Sequence, residues 1–163
     1  VKIFLTHIGI TLVLTLAVKE YVKIDASGIL QFAVILSFFL LLWLSSYVYS
    51  RSYFKKLFSA FGLFFYFLKE LAVSNFRIIY YIITPGLKFR PAIIKLPLSL
   101  KSERGIVLLS NLITLTPGTL TLKISDDKNF LYYHCINVKG GQLDQERRKV
   151  KDGFEKRIMT ILS

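Results

Sequence analysis

Ser110-Asn111-Leu112-Ile113-Thr114-Leu115-Thr116-Pro117-Gly118-Thr119-Leu120-Thr121-Leu122 is the stretch on which the fold turns. The apolar run Ile106 to Ile113 predicts a helix, and Thr116-Pro117-Gly118 interrupts it. Proline presets φ for the first central position of a β-turn, and glycine accepts the positive φ that a type II turn requires at the second. Leu120, Leu122 and Ile124 then alternate with Thr121, Lys123 and Ser125, which is the period of a strand. The stretch predicts a tight helix-to-strand corner.

Downstream, Asp126-Asp127-Lys128-Asn129 makes a polar turn, and Phe130 to Val138 returns as a second strand that Gly140-Gly141 ends. The final helix places Leu143, Val150, Phe154, Ile158 and Ile161 on one face. Upstream, Pro91 to Leu98 reads as a short edge strand, because two prolines cannot serve a central one. Ser102 is placed to cap the helix before the corner. Residues 87–163 thus read as a small α+β domain of order β-α-β-β-α, with a core thin enough to need docking.

The chain ahead of this domain is of another kind. Of 163 residues, 53% are hydrophobic and only 20% charged, against about 25% charged in an average soluble domain. The apolar excess lies before residue 84. Ile3 to Val18 and Gly28 to Tyr49 read as a membrane-spanning hairpin within residues 1–57. The first span is short unless residues ahead of Val1, or snorkelling Lys2 and Lys19, complete it. A signal peptide is the other reading of that span, but no small-x-small cleavage site follows it. Trp43, Tyr47 and Tyr49 collect at the end of the second, where amphipathic rings favour the interface.

Residues 58–86 hold a long amphipathic or tilted helix, Phe58 to Ile83. Glu70, Ser74 and Arg77 recur at i, i+4 and i+7 and make one polar stripe along it. A third crossing would place Arg51, Lys55 and Lys56 opposite the fourteen Lys/Arg that follow residue 83. The positive-inside rule disfavours that, so two crossings and a cytoplasmic α+β domain are expected.

Net charge is +12, yet no zinc-finger spacing or aromatic platform accompanies it, so nucleic acid is not an expected partner. Basic residues beside apolar spans answer to anionic lipid instead. Cys135 is the single cysteine, which excludes an intrachain disulfide, and neighbouring His134 points to the opposite strand face. The acids of the C-terminal half, Glu103, Asp126, Asp127 and four in the last helix, are expected at turns and on solvated faces. No catalytic, cofactor or metal constellation is expected, and neither is an enzyme. The two clear spans carry no Asp, Glu, Lys or Arg inside them, which argues against an ion path through this chain. Lys69, Glu70 and Arg77 are the remaining candidates, read as interchain polar contacts rather than a relay.

The string Asn111-Leu112-Ile113-Thr114-Leu115-Thr116-Pro117-Gly118-Thr119-Leu120 closely resembles the signature of the E-type subunits of the multisubunit Mrp-type Na⁺/H⁺ antiporters. Lys69-Glu70-Leu71 followed by Asn75, the Pro85 break, Arg90-Pro91 before Lys95-Leu96-Pro97, and Tyr133-His134 extend the resemblance from about residue 63 onward. It is weak over the first fifty residues, and Cys135 and Asn137 depart from the family pattern. The resemblance implies an accessory assembly subunit of a cation/proton antiporter complex in a prokaryotic plasma membrane. Its partners would be large complex I-like antiporter subunits, small membrane subunits and the bilayer, with the ions carried by the large subunits. The same subunit type is also expected in archaeal membrane-bound hydrogenase and related respiratory complexes. Asn111, Thr114, Thr116, Pro117, Gly118 and Thr119 would be the family's structural motif. From the residues alone, a self-sufficient membrane-anchored binding module is the competing reading.

Overall fold

The computed structural model describes residues 2–22, 28–87, 89–138 and 143–162, so Gly140-Gly141 and most of the loop after the first span lie outside the described residues. The chain divides into two compact units, Val1–Leu57 and Phe58–Ser163.

In the first unit, α1 (Lys2–Val22) and α2 (Gly28–Tyr49) pack on each other, with Phe4 meeting Phe39 edge-on at 6.1 Å. Leu5, Val13, Leu16, Ile29, Phe32 and Leu41 project outward, an apolar exterior of the kind lipid requires. His7, Thr11 and Ser46 turn inward, His7 Nδ1 lying 3.2 Å from the Tyr53 hydroxyl, and Trp43 stacks on Phe54 at 5.0 Å.

The third helix, α3, runs Arg51–Ile83 and starts seven residues before the expected Phe58. Charge suggests a connecting region at Arg51, Lys55 and Lys56, but lysine and arginine are good helix formers and nothing here breaks the ladder. Ser50 carries it across from α2: its N–H donates to Ser46 O at 2.7 Å, and Phe54 N–H donates to Ser50 O at 3.1 Å. Among the described residues, three helices are long and apolar enough to cross a membrane: α1, α2 and α3.

The second unit contains an antiparallel sheet of order β1-β3-β2, from β1 (Ala92–Pro97), β2 (Thr119–Ile124) and β3 (Phe130–Cys135). β1 takes an edge, where its terminal proline costs no ladder bond. Helix α4 (Glu103–Leu115) begins at Ser102, whose hydroxyl accepts the Gly105 N–H and satisfies one of the orphan donors of the first turn. Ile94, Leu96, Leu131 and Tyr133 of the sheet are buried with Ile106, Leu109 and Ile113 of α4 and with Val150, Phe154 and Ile158 near the C-terminus. Leu63, Tyr66 and Phe67 of α3 pack against that core.

Two elements carry features beyond the sequence reading. In β2 a bulge lies between Thr121 and Lys123, and the leucine face is the open one, Leu120 and Leu122 each being 48% exposed. Hydrogen bonds decide this, because Thr121 Oγ1 donates to Ser110 O at 3.0 Å and Thr119 Oγ1 to Ile113 O at 2.6 Å, which holds the threonines toward α4.

The C-terminal helix is the second. It is three pieces: α5 (Leu143–Arg148), a π-helical stretch Lys149–Glu155, and α6 (Lys156–Leu162). The wider turn brings Glu155 inside, where it is 2% exposed rather than solvated. Its Oε1 accepts the backbone N–H groups of Ser99 at 2.5 Å and Leu100 at 3.0 Å, and Lys151 Nζ stands 3.2 Å from Oε2.

Candidate functional site at the corner and the polar stripe

Each threonine of the central motif has a bond to make. α4 ends with unsatisfied carbonyls, as every helix does. Thr116 closes one of them twice, its N–H donating to Ile113 O at 3.2 Å and its hydroxyl at 2.8 Å. Thr119 N–H donates back to Thr116 O at 3.2 Å, which completes a β-turn around Pro117 and Gly118. Gly118 has φ +91°, the positive value a type II turn needs at its second central position. Thr114 Oγ1 accepts the Thr121 N–H at 3.2 Å and ties the helix to the strand beyond the turn. Ile136 N–H donates to Gly118 O at 2.8 Å and fastens the corner to the end of β3. Asn111 stays exposed on α4, beside exposed Val107, Leu108 and Leu115.

Gly118 also permits a close approach. A Cβ there would stand 3.0 Å from Ile136 Cγ2 and 3.4 Å from Ile78 Cδ1, so α3 passes directly over the turn. The polar stripe of α3 follows. Glu70, Ser74 and Arg77 line a small cleft of about 50 Å³ with Thr116 and Thr119 of the corner and with Tyr133, Glu146 and Lys149. The structure brings together the motif and two of the three charged residues singled out by sequence, inside one chain. Lys69 remains exposed.

The cleft is electrically mixed. Lys149 Nζ donates to Glu146 Oε1 at 2.7 Å, and Tyr66 and Glu70 line the same cleft. Burial pushes the Tyr133 hydroxyl and the Cys135 thiol above their usual ranges, so both stay neutral at physiological pH. Among the described residues, no group of three His, Cys, Asp or Glu side chains could hold a metal ion.

Sequence reasoning missed Tyr66 and Gly153. Tyr66 lies four residues before Glu70 and extends the stripe by one turn, a signal that was present. Its ring meets Phe154 edge-on at 5.1 Å, and the Arg157 guanidinium stands 4.2 Å from its centre. Gly153, a glycine within a helical pattern, leaves the space that this ring fills.

A family model described as "Na+/H+ ion antiporter subunit" matches residues 10–161. The chain belongs to this family. It is similar to the E-type Na⁺/H⁺ antiporter subunit of Alkalihalophilus pseudofirmus, with 31% identity over 78% of this chain and 79% of the relative. It is also similar to the E-type subunit of Bacillus subtilis, with 38% identity over 67% of this chain and 68% of the relative. Among solved structures, a chain of the membrane-bound sulfane sulfur reductase, an archaeal respiratory membrane complex, shares the fold. Its TM-score is 0.56 at 20% identity, covering 95% of this chain and 98% of that one. Family membership makes this a subunit of Na⁺/H⁺ antiporter type.

Proposed function

We propose that the chain is an assembly subunit of a multisubunit Na⁺/H⁺ antiporter complex in a prokaryotic cell membrane, and that the ions move through other subunits. One observation carries the reading: Glu70, Ser74 and Arg77 of α3 line one cleft with Thr116 and Thr119 of the corner, while large apolar side chains of α3 are turned outward. Phe58, Phe65, Phe76, Ile82 and Ile83 of α3 are all more than half exposed, a surface that lipid or partner helices must cover. Lys69 lies outside the cleft and is the charged residue best placed for an interchain contact.

Two crossings with a cytoplasmic α+β domain fit best. From Leu63, packed on the domain core, to Ile78 over the corner, α3 runs alongside a water-facing domain. At 1.5 Å per residue that is about 24 Å of helix, and the portion from Arg51 to Gly62 is only about 18 Å. A hydrocarbon core of about 30 Å needs more. With α3 at the interface, Arg51, Lys55 and Lys56 share the cytoplasmic side with the basic C-terminal half.

The test is affinity purification of the tagged chain from native membranes in mild detergent, with every co-purifying subunit identified. Large antiporter subunits are expected. Redox subunits beside them would place the same role in a respiratory complex. A chain that emerges alone, folded and monodisperse would overturn the reading in favour of a self-sufficient binding module. Glu70→Gln adds a functional readout: altered sodium or pH dependence in an intact complex would put this chain on the ion route.

A further inference from the structure

Tyr133 sits in β3, paired with Ile94 on one side and Thr121 on the other, and it is 1% exposed. Its hydroxyl has no hydrogen-bond partner among the described residues. Such a group is costly to bury bare, and native proteins satisfy nearly all of them. Tyr133 lines the same cleft as Glu70, Ser74 and Arg77 of α3 and Glu146 and Lys149 near the C-terminus. An apolar cavity of that size would stay dry, but hydroxyl, carboxylate and cationic walls supply the two to four partners that a buried water needs. The volume, about 50 Å³, suits one or two waters.

We propose that this cleft is a hydration site, in which water bound to the Tyr133 hydroxyl bridges β3 to Ser74 and Glu70 of α3. The bridge has a specific job. Leu63, Tyr66 and Phe67 seat α3 on the core, and the bridge adds a directional tie further along the helix, at Ser74. Hydrogen bonds through a shared water are directional and help set which face of α3 is presented to partner subunits.

The experiment uses the full chain in its native complex and reads thermal unfolding of the subunit together with protease access to α3. Tyr133→Phe keeps the ring and removes one ligand of the water. With a bound water, the midpoint falls by several degrees and α3 becomes easier to cleave. With a dry cleft, the same change removes an unpartnered hydroxyl, and an unchanged or raised midpoint overturns the proposal. Ser74→Ala adds a second arm. No direct bond joins Ser74 to Tyr133, so a less-than-additive loss in the double variant reports the molecule between them, and additive losses overturn the bridge. A density map must show a peak about 2.5–3.0 Å from Tyr133 Oη; a partner's side chain in the cleft instead also overturns it. The assembly role is judged separately, by co-purification, and stands or falls apart from this result.

Discussion

Gly153→Ala tests how α3 is held on the domain. A Cβ at this position would stand 2.6 Å from Tyr66 Cζ and 2.8 Å from Cε1, where non-bonded carbons settle at about 3.5–4.0 Å. The ring has little room to yield. Phe154 meets its edge, Arg157 lies over its face, and Arg157 Nη1 donates to Gly153 O at 2.7 Å. Two effects of opposite sign compete. Alanine is the better helix former by about 0.8–1 kcal/mol. If Tyr66 stays, overpacking costs about 1–3 kcal/mol. If it swings out, a half-buried ring returns roughly 100 Å² to water, about 2.5 kcal/mol, and the cation–π contact goes with it. Net of the propensity gain, keeping the ring costs about 0–2 kcal/mol and releasing it about 1.5 kcal/mol or more, so the expected net loss is about 1–2 kcal/mol. Gly62→Ala is the control, because a Cβ there meets nothing within 4 Å, so only the propensity gain remains. Thermal unfolding and limited proteolysis of both variants in the solubilised complex decide the matter. Equal stability of the two, with α3 equally protected, would refute the reasoning.

Gly118→Val forces a β-branched residue to φ +91° and drives its Cβ against Ile136 and Ile78. The conformational cost alone is about 1–2 kcal/mol, and the expected result is a complex depleted of this subunit by quantitative mass spectrometry, whereas normal occupancy with normal antiport would sink the idea. Glu155→Gln replaces the charged acceptor of the Ser99 and Leu100 N–H groups and should lower stability by about 1.5–3 kcal/mol in thermal unfolding. Asp127 is held at about 2, below its usual 3.8, first by the Ser125 hydroxyl and then by Asn129. A depressed folded value stabilises above the unfolded one, so the contribution is complete above about pH 4 and lost as pH falls from 3.8 toward 2. Amide exchange at Asn129 should quicken through that window, and in Asp127→Asn the step should be absent.

The corner was legible because proline and glycine constrain φ whatever surrounds them, and Thr116-Pro117-Gly118-Thr119 folds as its residues require. β1 was legible as an edge strand for the same kind of reason, since Pro97 has no N–H to give a central ladder. Packing decisions were less accessible. The alternation of Leu120 and Leu122 marked a strand but could not say which face is covered, because the choice rests on Thr119 and Thr121 reaching carbonyls of α4. Glu155 read as a solvated helix residue, since a 3.6-residue period cannot foresee the π-helical stretch that rotates it toward Ser99 and Leu100.

The stripe on α3 lies between these cases. Its period located Glu70, Ser74 and Arg77 on one face, but a period says nothing about the chain to which the opposite surface belongs. A membrane helix with a charged face invites a partner subunit as its complement. Here the complement includes Thr116, Thr119, Glu146 and Lys149 of the same chain. An intrachain partner is tethered, so its effective concentration far exceeds that of a separate subunit joined only by collision. The stripe can therefore close before assembly begins. On the proposed assembly role, α3 offers the rest of the complex its apolar side, with Lys69 exposed on the same helix.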